Sequence, residues 1–420
     1  MTGSAQVTAL EAFLLSHPSI GYIPPTSPEY VLTASRGWIA GINARPLAIV
    51  QPQSAADVAA VVKFTKSNAV PFTVRSGGHN LEGHSIVDGA LLINLRALTT
   101  VTIAQDHQSA TVQEDILQEG EAGHSDRFYP YHQICQLGHI LGATVVDTNK
   151  KIIITDEFLL HGIRGAGGIF GIIVDVTIKV YPLTKFLAGA IIFDSTDIAQ
   201  IIITFNAAYE DFLSTEGLPP LVTLQQAALN SPHGRKISSL APLLISTVDP
   251  TTIPDWFTSN GALVPEAVYG SLQTHNVRCI TPAVAEVIGR NVALMPSDPG
   301  TMLSIHQLRG QSAGEDVSKL EHSVFATREP HYMLEILGCA TDVQNAGTSE
   351  EWAVQTAKEV AQVDEGNVLS TAYVSLMRLA SMKPDEAVKK AFGTNADVVR
   401  ELKERVDPQN VFALALPALK

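Results

Sequence analysis

The sequence predicts an α+β protein of two large domains, and three observations support this prediction. The chain has 420 residues, which is enough for two to four domains of ordinary size. Its N-terminal third consists mainly of short strand-like segments joined by loops, with few helices. From about Leu187 onwards, strand-like segments alternate with longer helices, as expected of a domain whose helices cover one face of a sheet.

The composition excludes several classes of protein. Apolar residues make up 45% of the chain and charged residues 17%, so the chain can bury a large core and is not intrinsically disordered. The 28 basic and 42 acidic residues give a net charge of −14, which disfavours nonspecific binding to nucleic acid. The apolar runs are too short for a membrane span. The N-terminus shows no signal peptide, so we expect a cytoplasmic protein without a membrane partner.

The three cysteines, Cys135, Cys279 and Cys339, are too few and too far apart for a disulfide framework or a paired-cysteine metal site. We therefore expect no metal centre built on cysteine.

The first elements follow from caps and turn residues. The segment up to Pro52 is predicted to be irregular. Ser54 with Asp57 three residues later is typical of a helix N-cap and predicts a helix that ends near Asn68. Strands are then predicted at Phe72–Arg75, Leu91–Leu95, Thr100–Ile103 and Ala110–Gln113, followed by a hairpin of Thr144–Val146 with Ile152–Ile154.

The later elements follow the same rules. Asp156 predicts a cap for a short helix through Ile163, which precedes a glycine-rich loop. A second cap within residues 194–197 predicts a long helix that reaches Phe212. The remaining predicted elements are strands at Ile172–Val180, Ala190–Phe193, Leu221–Gln225 and Leu243–Thr247, and an amphipathic helix at Asp397–Arg405.

The first segment that could carry chemistry is the Ser76–Gly78 turn, which follows a strand and precedes His79. Glycines allow successive backbone N–H groups to point inward and form a nest for an anion such as a diphosphate. An ordinary tight loop with a surface histidine is an equally good interpretation of the segment alone. A metal site of His79 and His84 is less favoured, because that spacing suits a helix and Gly83 argues against one.

The second segment contains Gly165, Gly167, Gly168 and Gly171 ahead of a strand. It could be a bulged turn, or a place where main-chain amides approach a flat ligand closely. A dinucleotide-binding fingerprint is disfavoured, because here a helix leads into a strand and the fingerprint needs the reverse order.

The third segment, Val406–Phe412, predicts by itself only a turn after a helix. Together with Arg75–His79 and Arg164–Gly171, however, it resembles the flavin-linked oxidases with a PCMH-type FAD-binding domain, the group of berberine bridge enzyme and hydroxynicotine oxidase. Pro46–Pro52, Asp88-Gly89 and Leu141–Asp147 extend the resemblance. The middle of the chain, with Met295–Pro299 and Arg328–Tyr332, is similar more loosely to fungal secondary-metabolite members.

The resemblance implies a two-domain PCMH-type fold. An FAD-binding domain would be built from residues 1–185 and 371–420, and an α+β substrate domain would be inserted over residues 186–370. It also implies FAD as the cofactor, with the Arg75–Asn80 segment around the diphosphate and His79 in a covalent bond to the flavin 8α carbon. The residues that it places at the cofactor are Arg75, Ser76, Gly77, Gly78, His79, Asn80, Ser85, Gly167, Gly168, Gly171 and Asn410. We expect Gly78 and Gly168 to be glycine because of backbone conformation or close approach.

Three departures from the family pattern bear on the site, and the first of them indicates either a weakened FAD site or a sequence that has lost an exon. Residues 114–140 lack the glycine-rich stretch that family members usually carry, and the neighbours of Cys135 do not match it. Ile169 occupies a position where asparagine is common. Leu376, at the end of Tyr373–Leu376, replaces the tyrosine that often serves as a base.

The function that this resemblance implies is FAD-dependent oxidation of a small secondary metabolite, with hydride transfer to the flavin and O₂ as the electron acceptor. The alternative is a non-redox cyclase or binding scaffold, or an inactive remnant of the oxidase fold. His306, His331 and Tyr332 are candidate acids or bases. Each lies in a strand-like alternation, where a place in the core is at least as good an interpretation.

Overall fold

The structure is a computed structural model that describes residues 3–34, 39–41, 44–78, 85–113, 140–148, 152–154, 156–180, 185–193, 196–215, 243–261, 265, 267–308, 323–327, 329–378, 382–415 and 418–419. The chain divides into two compact units. The first comprises Met1–Tyr181, Asp316–Ala326 and Tyr373–Lys420, and the second comprises Pro182–Glu315 and Thr327–Ala372.

The described helices, in chain order, are α1 (Gly3–Leu15), α2 (Pro28–Ala34), α3 (Ala55–Asn68), α4 (Glu157–Ala166), α5 (Ile198–Thr215), α6 (Ile253–Gly261), α7 (Pro282–Ala293), α8 (Ala346–Val363), α9 (Pro384–Phe392) and α10 (Ala396–Val406). The described strands are β1 (Gly21–Ile23), β2 (Ala48–Gln51), β3 (Phe72–Arg75), β4 (Leu91–Asn94), β5 (Val101–Ile103), β6 (Ser109–Gln113), β7 (Ile140–Val146), β8 (Ile152–Ile154), β9 (Ile172–Lys179), β10 (Phe186–Ala188), β11 (Ile191–Phe193), β12 (Leu243–Ser246), β13 (Asp249–Thr251), β14 (Tyr269–Val277), β15 (Thr301–Leu308) and β16 (His331–Ala340). Within the described residues, no helix combines the length and hydrophobicity that a membrane span requires.

The first sheet of unit 1 has the strand order β1-β2-β4-β3. Strands β2 and β3 run parallel to β4 on either side of it, and β1 pairs antiparallel with β2. Helix α3 begins at the cap that the sequence predicts, because the side chain of Ser54 accepts a hydrogen bond from the N–H of Asp57 at 3.1 Å. Its buried valines, Val58, Val61 and Val62, belong to the core that covers this sheet.

The second sheet of unit 1 is antiparallel, with the order β5-β6-β9-β7-β8. Residues at its β7–β9 end, among them Val146, Ile172 and Val174, join the same core as the first sheet. Phe412, beyond the end of α10, completes that core and packs edge-on against Phe72, with ring centroids 5.8 Å apart. The C-terminal segment is therefore a structural part of the first unit.

The centre of unit 2 is the antiparallel sheet β14-β16-β15. Alternate residues of β16, namely Tyr332, Leu334 and Ile336, are buried in one core with residues of α7 and α8 such as Ile288 and Trp352. Because neighbouring strand residues point to opposite faces, His331, Met333 and Glu335 lie on the face away from these helices.

Helices α7 and α8 are joined by a polar network. Arg290 donates to Oε2 of Glu359 at 2.6 Å, and Nδ2 of Asn291 donates to the same oxygen at 3.0 Å. Nε1 of Trp352 donates to the carbonyl of Asn291 at 2.8 Å. The hydrogen bonds from Arg290, then Gln355 and Asn291, lower the pKa of Glu359 from 4.5 to about 2.

These elements confirm the predicted α+β class, helix α3, the hairpin of β7 with β8, and α10. The prediction of an irregular segment up to Pro52 is wrong, because that segment contains α1, β1, α2 and β2. The predicted glycine-rich loop after α4 is in part a 3₁₀ turn over Gly167–Phe170. The strand predicted at Leu221–Gln225 lies outside the described residues.

Candidate functional site

The turn at the end of β3 directs two backbone N–H groups to one side. Arg96 donates from Nε to the carbonyl of Ser76 at 3.3 Å and from Nη2 to the carbonyl of Gly77 at 2.7 Å. In a trans peptide the C=O and the following N–H point in opposite directions. The N–H groups of Gly77 and Gly78 therefore point away from Arg96, and among the described residues neither has an acceptor.

The conformation of Gly78 completes this arrangement. Its φ is +77°, a value that residues with a side chain rarely adopt. When a residue with positive φ directly follows one with negative φ, the consecutive backbone N–H groups can converge on an anion. The turn is thus built as an anion nest whose outer side is held by Arg96, a residue that the sequence analysis did not select.

The neighbours of this turn have separate roles. Arg75 is 1% exposed, and its Nη1 donates to the carbonyl of Ala34 at the end of α2. Asn94 pairs with Arg75 in the β3–β4 register, and its buried Oδ1 has no hydrogen-bond partner among the described residues. An acceptor left open beside the nest fits a ligand that carries donor groups as well as charge. Ser85 is half-buried. His79 and Asn80 lie outside the described residues.

Two glycines, one in the last turn of α4 and one after that helix, are required by packing inside the chain. Gly165 has φ +134°, and a Cβ there would lie 2.5 Å from the backbone nitrogen of Phe325. A Cβ on Gly171 would lie 2.5 Å from Cγ1 of Val145 in β7. The predicted cofactor residue Gly171 therefore has a structural reason to be glycine that does not involve a ligand.

Gly167 and Gly168 differ from that pair because no atom of the described residues lies within 4 Å of a Cβ built on either. Gly167 has φ +57°, which favours glycine. Gly168 has φ −78°, so of the two predicted reasons for a glycine at this position, only close approach remains. Both border open space, which is what the close approach of a flat ligand needs.

The C-terminal turn is held by the carboxylate of Asp407. This carboxylate accepts the N–H groups of Val411 at 2.7 Å and Phe412 at 3.0 Å. Asn410, which directly precedes these two residues, has φ +50°, an uncommon value for a residue other than glycine. The turn therefore presents Asn410 in a fixed, left-handed conformation.

In unit 2, three polar side chains meet on the face of the sheet away from the helices. Nε2 of His306 lies 2.8 Å from Oγ of Ser304 and 3.0 Å from Oε2 of Glu335. The β15–β16 register places Ser304 opposite Glu335, and His306 is two residues further along β15 on the same face. His306 is 0% exposed and Glu335 5%.

This cluster differs from a nucleophilic triad in its geometry. A triad needs the serine on one ring nitrogen and the carboxylate on the other, so that the ring passes a proton while the carboxylate orients it. Here Ser304 and Glu335 contact the same nitrogen of His306. The cluster can hold or accept a proton, but it is not arranged to activate Ser304 for attack.

Burial sets the protonation of the two histidines on this face. Burial first, and His331 second, lower the pKa of His306 to about 2. Burial also lowers the pKa of His331, whose Nδ1 donates to the carbonyl of Glu329 at 2.8 Å. Both imidazoles are therefore neutral near pH 7.

Tyr332 belongs to the other face of the sheet. Its hydroxyl donates to Oε1 of Glu210 on α5 at 2.5 Å, and its ring is part of the core beneath α7 and α8. Burial raises the pKa of Tyr332. The structure thus groups His306 with His331 and separates Tyr332 from them, and it adds Ser304 and Glu335, which the sequence analysis did not select.

Known proteins are similar to this chain in sequence and in fold. A family model described as an FAD binding domain matches residues 46–115. The FAD-linked oxidoreductase aurO of Gibberella zeae is 25% identical over 88% of this chain and 80% of its own length. The fold is similar to that of 6-hydroxy-D-nicotine oxidase from Arthrobacter nicotinovorans, with a TM-score of 0.74 at 16% identity, covering 95% of this chain and 97% of that one.

A second solved structure, a glucooligosaccharide oxidase from Acremonium strictum, has a TM-score of 0.78 at 14% identity and covers 96% of this chain and 97% of its own. The two matches show that this chain has the PCMH-type α+β fold. In sequence and in fold, the chain is thus similar to FAD-linked oxidoreductases that carry a PCMH-type FAD-binding domain.

Proposed function

We propose that this protein is an FAD-dependent oxidase that takes a hydride from a small secondary metabolite and returns the electrons to O₂. The observation that carries the proposal is the Ser76–Gly78 turn, where Arg96 binds two carbonyls and so directs two N–H groups to the opposite side. A diphosphate brings two negative charges that need several such donors once they leave water. In this proposal unit 1 binds the cofactor and unit 2 binds the substrate.

Different residues of unit 1 would bind different parts of FAD. The nest at Ser76–Gly78 binds the diphosphate, and the open space beside Gly167 and Gly168 admits the flat flavin ring. When bound, FAD supplies a two-electron acceptor that O₂ can reoxidise. His79 is the proposed covalent attachment point, and the glucooligosaccharide oxidase supports this, since its cofactor is a 6-S-cysteinyl, 8α-N1-histidyl FAD.

The proton that accompanies the hydride needs an acceptor of its own. Oxidation of an alcohol or amine carbon removes a hydride from carbon and a proton from oxygen or nitrogen, and O₂ that receives both becomes H₂O₂. The carboxylate of Glu335, hydrogen-bonded to Nε2 of His306 at 3.0 Å, can take that proton, with the neutral imidazole of His306 passing it on. We propose this pair, and not Tyr332, as the acid–base group of unit 2.

The test begins with the visible spectrum of the purified protein. A yellow protein whose colour stays with the acid-precipitated pellet would support covalent flavin, and His79→Ala should then release its flavin into the acid supernatant. Flavin that stays fixed to the chain in His79→Ala would refute that attachment point.

The same preparation separates the oxidase from its alternative. Candidate alcohols and amines should bleach the flavin without air and yield H₂O₂ with air. A protein that stays colourless with added FAD would contradict the oxidase and favour the non-redox scaffold or inactive remnant.

A further inference from the structure

A buried ion pair in unit 1 is used by neither the nest nor the acid–base group. Nζ of Lys403 on α10 lies 2.7 Å from Oδ2 of Asp407, and the two side chains are 6% and 0% exposed. A charged pair at this depth is stable only if its remaining hydrogen-bonding capacity is also satisfied. Both side chains should therefore make further hydrogen bonds besides the one between them.

The ammonium of Lys403 reaches two separate segments. Besides Asp407, it donates to the carbonyl of Ile169 at 2.9 Å and to that of Phe412 at 3.3 Å. Three donors thus serve three acceptors. Ile169 belongs to the 3₁₀ turn over Gly167–Phe170, and Phe412 ends the turn that contains Asn410.

The carboxylate of Asp407 is equally occupied. It accepts Lys403 and the N–H groups of Val411 and Phe412, which encloses Asn410 in its left-handed conformation. One charge pair therefore fixes two turns that contain positive-φ residues, Gly167 at +57° and Asn410 at +50°. The sequence separation between Lys403 and Ile169 is 234 residues, so no local rule would hold these turns together.

We propose that Lys403 and Asp407 are a positioning pair that holds the Gly167–Phe170 turn and the Asn410 turn in the relative arrangement that receives the flavin. The inference rests on the proposed function, since it needs a flavin at these turns. Neither residue is proposed to contact the cofactor. The pair acts through the backbone carbonyls of Ile169 and Phe412.

The experiment uses the full chain in a His79→Ala background, where flavin binding is reversible. Lys403→Met keeps the length of the side chain and removes its charge. The double variant K403M/D407N removes both charges together, so that no unpaired buried charge can unfold it. Arg400→Met is the matched control, because Arg400 lies on the same helix and makes exposed ion pairs with Asp385 and Asp397.

FAD affinity is measured by titration at a temperature where circular dichroism shows each apo variant folded. We expect K403M and K403M/D407N to bind FAD at least tenfold more weakly and to change the visible spectrum of the bound flavin, with R400M unchanged. In the apo protein, hydrogen exchange should rise over Gly167–Phe170 in the double variant and not in the control. A variant that melts earlier but binds FAD with unaltered affinity and spectrum would overturn the positioning role and leave the oxidase proposal intact. A parent protein that binds no FAD would overturn both.

Discussion

At the scale of single residues, Gly78 and Gly168 look alike in the sequence but are glycine for different reasons. Gly78 has φ +77°, whereas Gly168 has φ −78° and open space where a Cβ would lie. An alanine at Gly78 would be strained by about 1–2 kcal/mol in the folded protein, whether or not FAD is bound. An alanine at Gly168 would meet nothing until a ligand arrives.

We therefore expect Gly78→Ala to lower both the melting temperature of the apo protein and its FAD affinity. Gly168→Ala should leave the apo melting temperature unchanged and weaken FAD binding. Thermal unfolding without cofactor, followed by FAD titration, measures both effects. Equal melting-temperature losses in the two variants would show that Gly168 is only a structural turn residue.

The second prediction at this scale concerns the proton acceptor. His306→Asn and Glu335→Gln should each reduce turnover by about 10²–10⁴-fold, the usual contribution of general-base catalysis, with flavin content unchanged. Tyr332→Phe is the control, because it removes a hydrogen bond to Glu210 on the opposite face of the sheet. A loss in Tyr332→Phe as large as in His306→Asn would contradict the assignment.

The pH profile checks the same residue independently. A base is active when deprotonated, and burial lowers the pKa of His306 from 6.5 to about 2. Turnover that depends on His306 should therefore stay level as the pH falls from about 8 to about 5, where an ordinary histidine would become protonated. An inflection near pH 6.5 that disappears in His306→Asn would show that the imidazole is not held neutral.

At the scale of elements, the contact between α7 and α8 depends on charge. Hydrogen bonds from Arg290, Gln355 and Asn291 lower the pKa of Glu359 to about 2, while its side chain is 26% exposed. A lowered carboxyl pKa stabilises the folded state above the unfolded-state pKa, and that stability is lost as the pH falls through the folded-state value. Partial exposure limits the gain to about 1 kcal/mol.

Glu359→Gln should accordingly lower the free energy of unfolding by up to about 1 kcal/mol at pH 7 and by much less near pH 2.5. Urea denaturation at several pH values measures the difference. Glu351→Gln, an exposed position on the same helix, should have little effect at any pH. A loss for Glu359→Gln that is independent of pH would mean that the network contributes packing and no charge term.

Local signals predicted some elements and missed others. The start of α3 was predictable because its N-cap is local: the side chain of Ser54 accepts a hydrogen bond from the N–H of Asp57, three residues later. Strand β2 was missed because Ala48, Ile49 and Val50 are all fully buried, so the strand shows no alternation. Helix α1 was missed because only Leu10 of its residues is fully buried, which leaves a weak periodic pattern.

The candidate site divides in the same way. The Ser76–Gly78 turn was predictable from its glycines, since the conformation that it needs is a local property. Arg96 and Glu335 could not be predicted, because each forms hydrogen bonds with residues that are brought close only by the pairing of strands. Only the β15–β16 register places Ser304 and His306 beside Glu335, and a single sequence does not reveal that register.

At the scale of the whole molecule, the prediction concerns how much of the purified protein carries flavin. The sequence between Gln113 and Ile140 lacks the glycine-rich stretch that the family resemblance leads us to expect, and these residues lie outside the described part of the chain. We expect the nest at Ser76–Gly78 alone to supply fewer donors than two phosphates need. We expect partial occupancy that rises when FAD is added to the growth or refolding medium.

The flavin-to-protein absorbance ratio, with and without supplementation, measures that occupancy. A full complement without added FAD would contradict the prediction and mean that residues 114–139 supply the missing donors. A ratio near zero in all conditions would favour the remnant over the oxidase.

The path of the chain through unit 1 also dictates when that unit can fold. Thr148 donates to the carbonyl of Val406 across 258 residues, and Phe412 completes a core that otherwise comes from residues before 175. Contacts between residues so far apart in sequence make folding slow, because the entropy lost in closing the loop comes before the free energy gained by burial. During synthesis, β2, β3 and β4 leave the ribosome long before α10 exists. A nascent chain halted ahead of Ala396 should therefore expose the apolar surface that Phe412 covers. Chaperones would bind this surface until α10 has been synthesised.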